Sequence, residues 1–386
     1  MASSASGRFY ELDILRGAAS LLVVAYHYVH FYCTWEFNIE YLQRFPFFDL
    51  LKPIYFHGNS FVEMFFSISG YVFFWLYREG IAGGLVSFKD FLVARLARLY
   101  PLYIVTLIVV VGLVVLFRMQ YGYDYVYQGN TKTNLLLSVL MVQQWIPGSL
   151  QSFNGPSWSI SVEMALYGMF FLFCWLKLGR VWLWGPVIIG IILNSVWSTQ
   201  EIWRGPPSFF LGAMAFYAVQ DIKARAYAVN LRKLIGAFVI IGWVCAAIFG
   251  YELLPETPDY SFVSIVFSRE SLIFFLMPLT LVATGLWEGA IIPEHLKPLS
   301  WLGDISYSTY LIHFPLQMTL VLFLNRLPVH QKIDMVSSPM FFLSFFAVLI
   351  GLSILSYAYF EMPTRLWLLK RFSPRIQPEP IPKSAL

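Results

Sequence analysis

The residues of this sequence that can do chemistry stand inside apolar runs, where a charge costs several kcal/mol and persists mainly if it is paired or used. In the first run Arg16 and His27 are eleven positions apart. On a helix that is about 1100°, roughly 20° past three full turns, so the two share a stripe about 16 Å long. Gly17, Ala18, Ala19 and Ser20 are small and let a neighbouring helix or ligand approach. A histidine in such a run is either a hydrogen-bonded structural residue or a working group; its alignment with Arg16 keeps the second reading open. Arg95 and Arg98 are three apart at a helix start, so their guanidinium groups can converge on one anion, and the fork of donors suits phosphate. The plainer role for that pair is a positive anchor at the inner membrane face.

Glu163 follows Ser159 by four residues and precedes Tyr167 by four. About one turn inside a helix, it can pair with a histidine or accept a substrate proton; a carboxylate favoured by the helix dipole is the alternative. Asp304 is expected to cap a helix. Beyond it Ser306, Tyr310 and His313 follow a four-then-three step and form one polar stripe. Glu361 precedes Met362-Pro363, and a structural pair with Arg365 or Arg98 is its favoured reading.

These side chains need a membrane to hold them. The chain has 386 residues, 58% hydrophobic and only 12% charged, too few charges to cover soluble domains of that size. Ten runs are expected to cross, near 12–33, 60–77, 94–117, 159–177, 182–198, 207–220, 234–251, 265–287, 304–324 and 341–360. The stretch 134–146 is amphipathic and too short, so it belongs to a loop or the interface. With the N-terminus cytoplasmic, eighteen of the 26 Lys and Arg fall inside and eight outside, which predicts both termini cytoplasmic. The expected fold is all-α, a polytopic helix bundle of about ten spans over 8–370. A Pro-rich tail, 371–386, is expected to be disordered. An uncleaved first span is favoured over a signal peptide, because the run carries Asp13, Arg16, His27 and His30. A net charge of +4 implies no nucleic-acid partner. Cys33, Cys174 and Cys245 suggest neither disulfides nor a zinc site. Oligomeric state is not legible.

Six pieces in order resemble the acyltransferase-3 family of integral membrane O-acyltransferases. They are Leu15-Arg16-Gly17-Ala18-Ala19 with His27, Phe65-Phe66-Ser67-Ile68-Ser69-Gly70-Tyr71, Arg95-Leu96-Ala97-Arg98 through Pro101, and Trp158-Ser159-Ile160-Ser161-Val162-Glu163. Leu302-Gly303-Asp304-Ile305-Ser306-Tyr307 with Tyr310 and His313, and Glu361-Met362-Pro363-Thr364-Arg365, complete the set. Met164 and Ala165 depart from the pattern, since many members carry a second acidic residue after the glutamate. The chain resembles the stand-alone form, without a fused esterase-like domain, which implies a bacterial cytoplasmic membrane.

The resemblance implies transfer of an acyl group, usually acetyl, from cytoplasmic acyl-CoA to a hydroxyl of an extracytoplasmic glycan. It implies acyl-CoA, a glycan acceptor and the bilayer as partners, and no metal. In that setting His27 is the general base, with an acyl-histidine as the lesser option. Arg16 holds or polarises the thioester, and Glu163 orients His27 or the acceptor hydroxyl. Arg95 and Arg98 bind CoA phosphate, and Ser306, Tyr307, His313 and Glu361 line the acceptor side. The competing class is a transporter or flippase of glycan or lipid-linked intermediates.

Overall fold

The computed structural model describes residues 8–32, 39–146, 148–197, 200–225, 228–249, 268–288 and 294–373. Cys33, the tail from 374 and the ends of four predicted runs (33, 198, 250–251 and 265–267) lie outside them. Every element among the described residues is helical. Ten helices coincide with the ten predicted runs: α1 Tyr10–Tyr26, α2 Phe61–Leu76, α3 Phe88–Tyr121, α4 Trp158–Trp175, α5 Trp184–Val196, α6 Gly205–Lys223, α7 Ala228–Phe249, α8 Met277–Leu286, α9 Ser306–Leu324 and α10 Pro339–Ser356. Among the described residues seven stretches are long and apolar enough to cross a bilayer: Tyr10–Tyr32, Phe88–Tyr121, Gly155–Trp175, Ala228–Ile248, Arg269–Leu286, Ser306–Leu324 and Pro339–Phe372. The protein is therefore an all-α, polytopic membrane helix bundle. Of the remaining three, α2 and α5 are 16 and 13 residues long. The third, α6, opens with Pro206-Pro207-Ser208 and closes with Gln220 and Asp221, and most of its surface is buried against other helices.

Helix ends follow local chemistry. Ser87 caps α3 by accepting from the Asp90 amide, and Gly122 ends it in the left-handed conformation at φ 80°. At 34 residues α3 is about 51 Å long, well beyond a ~30 Å hydrocarbon core. Helix α10 starts on a Ser338 cap with Pro339 in its first turn. It then passes through a π turn at Tyr357–Glu361 into a last helix, Met362–Phe372. The amphipathic stretch forms one short helix, Lys132–Val139.

Two glycine crossings set the frame around the site. On α2 and α6, Gly70 lies against the Phe209 carbonyl and Gly212 against the Ser67 carbonyl, so a Cβ at either would overlap backbone. Likewise Gly17 of α1 meets Leu302, and Gly303 meets the Asp13 backbone. That second crossing corrects the expectation for Asp304. It lies within a short helix, Trp301–Asp304, and the cap position of α9 falls on Ile305 instead; with Asp13 it flanks Arg8, at 2.9 and 2.6 Å. Helix α1 must be clamped there so that Gly17 and Gly303 can touch, and the ion pair spans the same contact.

Candidate active site

Helices α1, α2, α3, α4 and α9 enclose a cavity of about 110 Å³. Its wall follows α2 from Val62 to Leu76, a rise of about 21 Å at ~1.5 Å per residue. One end is cationic: Arg16, Arg95, Arg98 and Arg365 line it, with Glu163 the single carboxylate among the lining residues. The surplus of positive charge in a low-dielectric cleft attracts an anion strongly. Phe65, Phe66, Val62 and Ile160 make the walls toward the other end apolar.

Each arginine is held differently. Arg16 projects from α1 within electrostatic reach of Arg98, Asp13 and Glu163. Arg95 is 5% exposed, and its guanidinium lies 4.9, 5.2 and 5.9 Å from the ring centres of Tyr77, Phe73 and Phe91. It donates to the Tyr77 hydroxyl at 2.6 Å. This box of rings fixes a cation by its quadrupoles and by a hydrogen bond, so Arg95 is more than a surface anchor. Arg98 is half-buried, one turn further along α3. Glu163 accepts from the Tyr167 hydroxyl at 2.6 Å, the i,i+4 step visible in the sequence.

The α9 stripe is divided. Ser306, Tyr307 and Tyr310 line the cavity. The Ser306 hydroxyl donates back to the Gly303 carbonyl at 2.8 Å, and Tyr307 donates to the Leu99 carbonyl at 2.6 Å. Tyr310 donates to the Pro156 carbonyl, and the Ser159 hydroxyl is 2.8 Å from its oxygen. His313 lies beyond Tyr310, with ring centres 5.8 Å apart, and faces His27 at 5.2 Å. His27, His313 and Glu361 do not line the cavity. Glu361 accepts from Ser308, and from Ser356 at 3.1 Å.

His27 opens a 3₁₀ turn, His27–Tyr32, at the end of α1. Its carbonyl accepts from Gln317 at 2.9 Å, and its ring lies 4.9 Å from that of His30. Of the three imidazoles it keeps the largest accessible fraction, 9% against 6% for His30 and none for His313. Nδ1 of His313 is 2.5 Å from the Tyr310 carbonyl. A carbonyl only accepts, so that nitrogen carries the proton and Nε2 keeps a lone pair. Nε2 of His313, Nδ1 of His27 and Nδ1 of His30 are buried without a hydrogen-bond partner. Ring nitrogens left without a partner can take up a proton without first breaking a bond to the protein. Among the described residues no group of three His, Cys, Asp or Glu side chains is disposed to hold a metal.

Sequence reasoning missed Arg365 as a cavity residue, along with Tyr77 and Tyr167. Arg365 was legible only as a partner for Glu361, four residues before it. Tyr77 carried no signal, because it sits past the end of α2 and meets Arg95 only in three dimensions.

The acyltransferase domain model matches residues 9–358, nearly the whole length. The chain belongs to the acyltransferase-3 family. It is 34% identical over 125 residues to acyltransferase MdmB of Streptomyces mycarofaciens, covering 32% of this chain and 30% of the relative. It is 34% identical over 107 residues to protein 2 in the picA locus of Rhizobium radiobacter, covering 28% and 46%. The chain thus spans under half the length of either relative. No solved structure matches it. Arg16, Arg95, Arg98 and Arg365 stand on the cavity wall, while His27 and His313 meet just beyond Tyr310.

Proposed function

We propose that the protein moves an acetyl or similar short acyl group from cytoplasmic acyl-CoA to a hydroxyl of an extracytoplasmic polysaccharide, across a bacterial cytoplasmic membrane. The observation that carries this reading is the cavity with four arginines at one end and the His313–His27 pair beyond the other. Arg95, Arg98 and Arg365 bind the phosphates of CoA, which enters from the cytoplasm, the side that also holds both termini. Arg16 polarises the thioester carbonyl. The apolar walls take the acyl end. His27 removes the proton from the acceptor hydroxyl as its oxygen attacks the thioester carbon. The C–S bond breaks, and the imidazolium returns the proton to the CoA thiolate, leaving an ester and free CoA. Glu163 and Tyr167 position Arg16, and His313 holds the His27 ring in place. Ser306 and Tyr307 support the wall near the arginine end, where Tyr307 holds the Leu99 carbonyl, and Glu361 braces the same end through Ser308 and Ser356, so none of the three stands on the acceptor side expected from the sequence.

Purified protein in lipid nanodiscs, given acetyl-CoA and soluble surface polysaccharide, tests the reading. It predicts CoA thiol release in step with ester formation on the glycan. A glycan transporter consumes no acyl-CoA, and absence of thiol release overturns the proposal.

A further inference from the structure

A second, smaller cavity of about 30 Å³ opens near the Phe61 end of α2, the end away from Arg95 and Arg98. Glu63, Asn194, Trp203, Arg204, Arg269 and Glu270 supply its polar lining. Glu63 is only 2% exposed; one of its oxygens accepts from Arg204 at 2.8 Å and from Arg269 at 2.6 Å. Its other oxygen is buried with no partner. So are Nη2 of Arg204, Nε of Arg269 and the indole nitrogen of Trp203. Buried donors and acceptors are nearly always satisfied. One unmatched acceptor and three unmatched donors gathered around a void point to a ligand that both donates and accepts.

The lining sets the class of that ligand. The two guanidinium groups of the lining face Glu63 and Glu270, and Glu201 also pairs with Arg204 at 2.5 Å, so no anion is called for. Hydroxyl groups match donors and acceptors together, and the volume takes about one such group. Trp203 of the lining has the exposed Trp197 beside it, with ring centres 6.2 Å apart and planes tilted by 31°, and an indole face suits the C–H face of a pyranose. The cavity lies close to the larger one. Val62, next to Glu63, lines the large cavity. Arg204 lies 4.5 Å over the Trp158 ring, and Tyr26, adjacent to His27, is within electrostatic reach of Arg204 and Arg269.

We propose that this cavity is the acceptor subsite, holding one hydroxyl-bearing edge of a neutral sugar while another hydroxyl faces His27. The inference rests on the acyl-transfer reading above. Its test uses the full chain in nanodiscs, acetyl-CoA, and the p-nitrophenyl glycosides of glucose, galactose and N-acetylglucosamine as acceptors. Glu63→Gln risks misfolding, so the lining variants Trp203→Ala and Asn194→Ala are measured. The KM for the glycosides is expected to rise about tenfold or more, with the KM for acetyl-CoA within about twofold of the parent. If the parent acetylates glycosides and both variants keep its glycoside KM, the cavity assignment is overturned and acyl transfer stands. If the parent releases CoA thiol yet acetylates no glycoside, the sugar acceptor is overturned with it.

Discussion

At the scale of single residues, the arginines divide into those that bind and those that also hold the wall. Arg98→Ala should raise the KM for acyl-CoA by about 10- to 100-fold, since on the proposed reading its loss removes a charge-assisted contact to phosphate. Arg95→Lys should raise that KM too, and it should also lower the melting temperature. An ammonium cannot stack in the ring box of Phe73, Tyr77 and Phe91 as a guanidinium does. Differential scanning fluorimetry beside initial rates separates the two; equal melting temperatures would remove the structural role given to Arg95. The spacing of Arg95 to Arg98 and of Glu163 to Tyr167 was legible because helical geometry alone fixes it, whereas His27 falls past the end of α1, in a tighter turn. Arg365 and Tyr77 were not legible, because their places depend on how distant segments pack. The separation of His27 from the cavity by Tyr310 is also tertiary, since α9 alone puts Ser306, Tyr310 and His313 on one stripe.

At the scale of elements, α2 and α6 are pressed together by Gly70 and Gly212, and α2 is the wall along which the main cavity runs. Gly70→Val should destabilise the protein by at least about 1–3 kcal/mol, since its side chain meets the Phe209 backbone rather than a movable side chain. Gly112→Val, where a Cβ meets nothing within 4 Å, should be far milder. Thermal unfolding of both in one detergent checks this, and similar losses would contradict the crossing. Each of the ten apolar runs holds a helix because an apolar run is a local property, though among the described residues only seven stretches are long and apolar enough to cross. Hydropathy did not find the helix ends: α3 extends to Phe88–Tyr121 where the run suggested 94–117. Nor did it show that His27 begins a tighter turn. The role of Asp304 was misjudged because a cap is read locally, whereas Arg8 reaches it from the other side of a glycine contact.

At the scale of the whole molecule, the account requires the arginine end of the cavity to open to the cytoplasm. Single cysteines placed at Arg371 and at Gln120, in a chain freed of its own three cysteines, should react oppositely with a membrane-impermeant maleimide. Arg371→Cys should label only in inverted vesicles and Gln120→Cys only in intact cells; the reverse pattern would reverse the donor side. Helix α7 turns a broad apolar face outward, including Phe238, Ile241 and Val244. Ile241→Lys should therefore impair insertion, at a cost of about 2.5–3.5 kcal/mol on translocon scales. The measurement that bears most directly on the central claim is acyl transfer by His27→Ala at matched protein levels, with acetyl-CoA binding measured alongside. A general base in that position predicts a loss of about 10²- to 10⁴-fold in turnover with acetyl-CoA affinity retained, and turnover equal to that of the parent would contradict it.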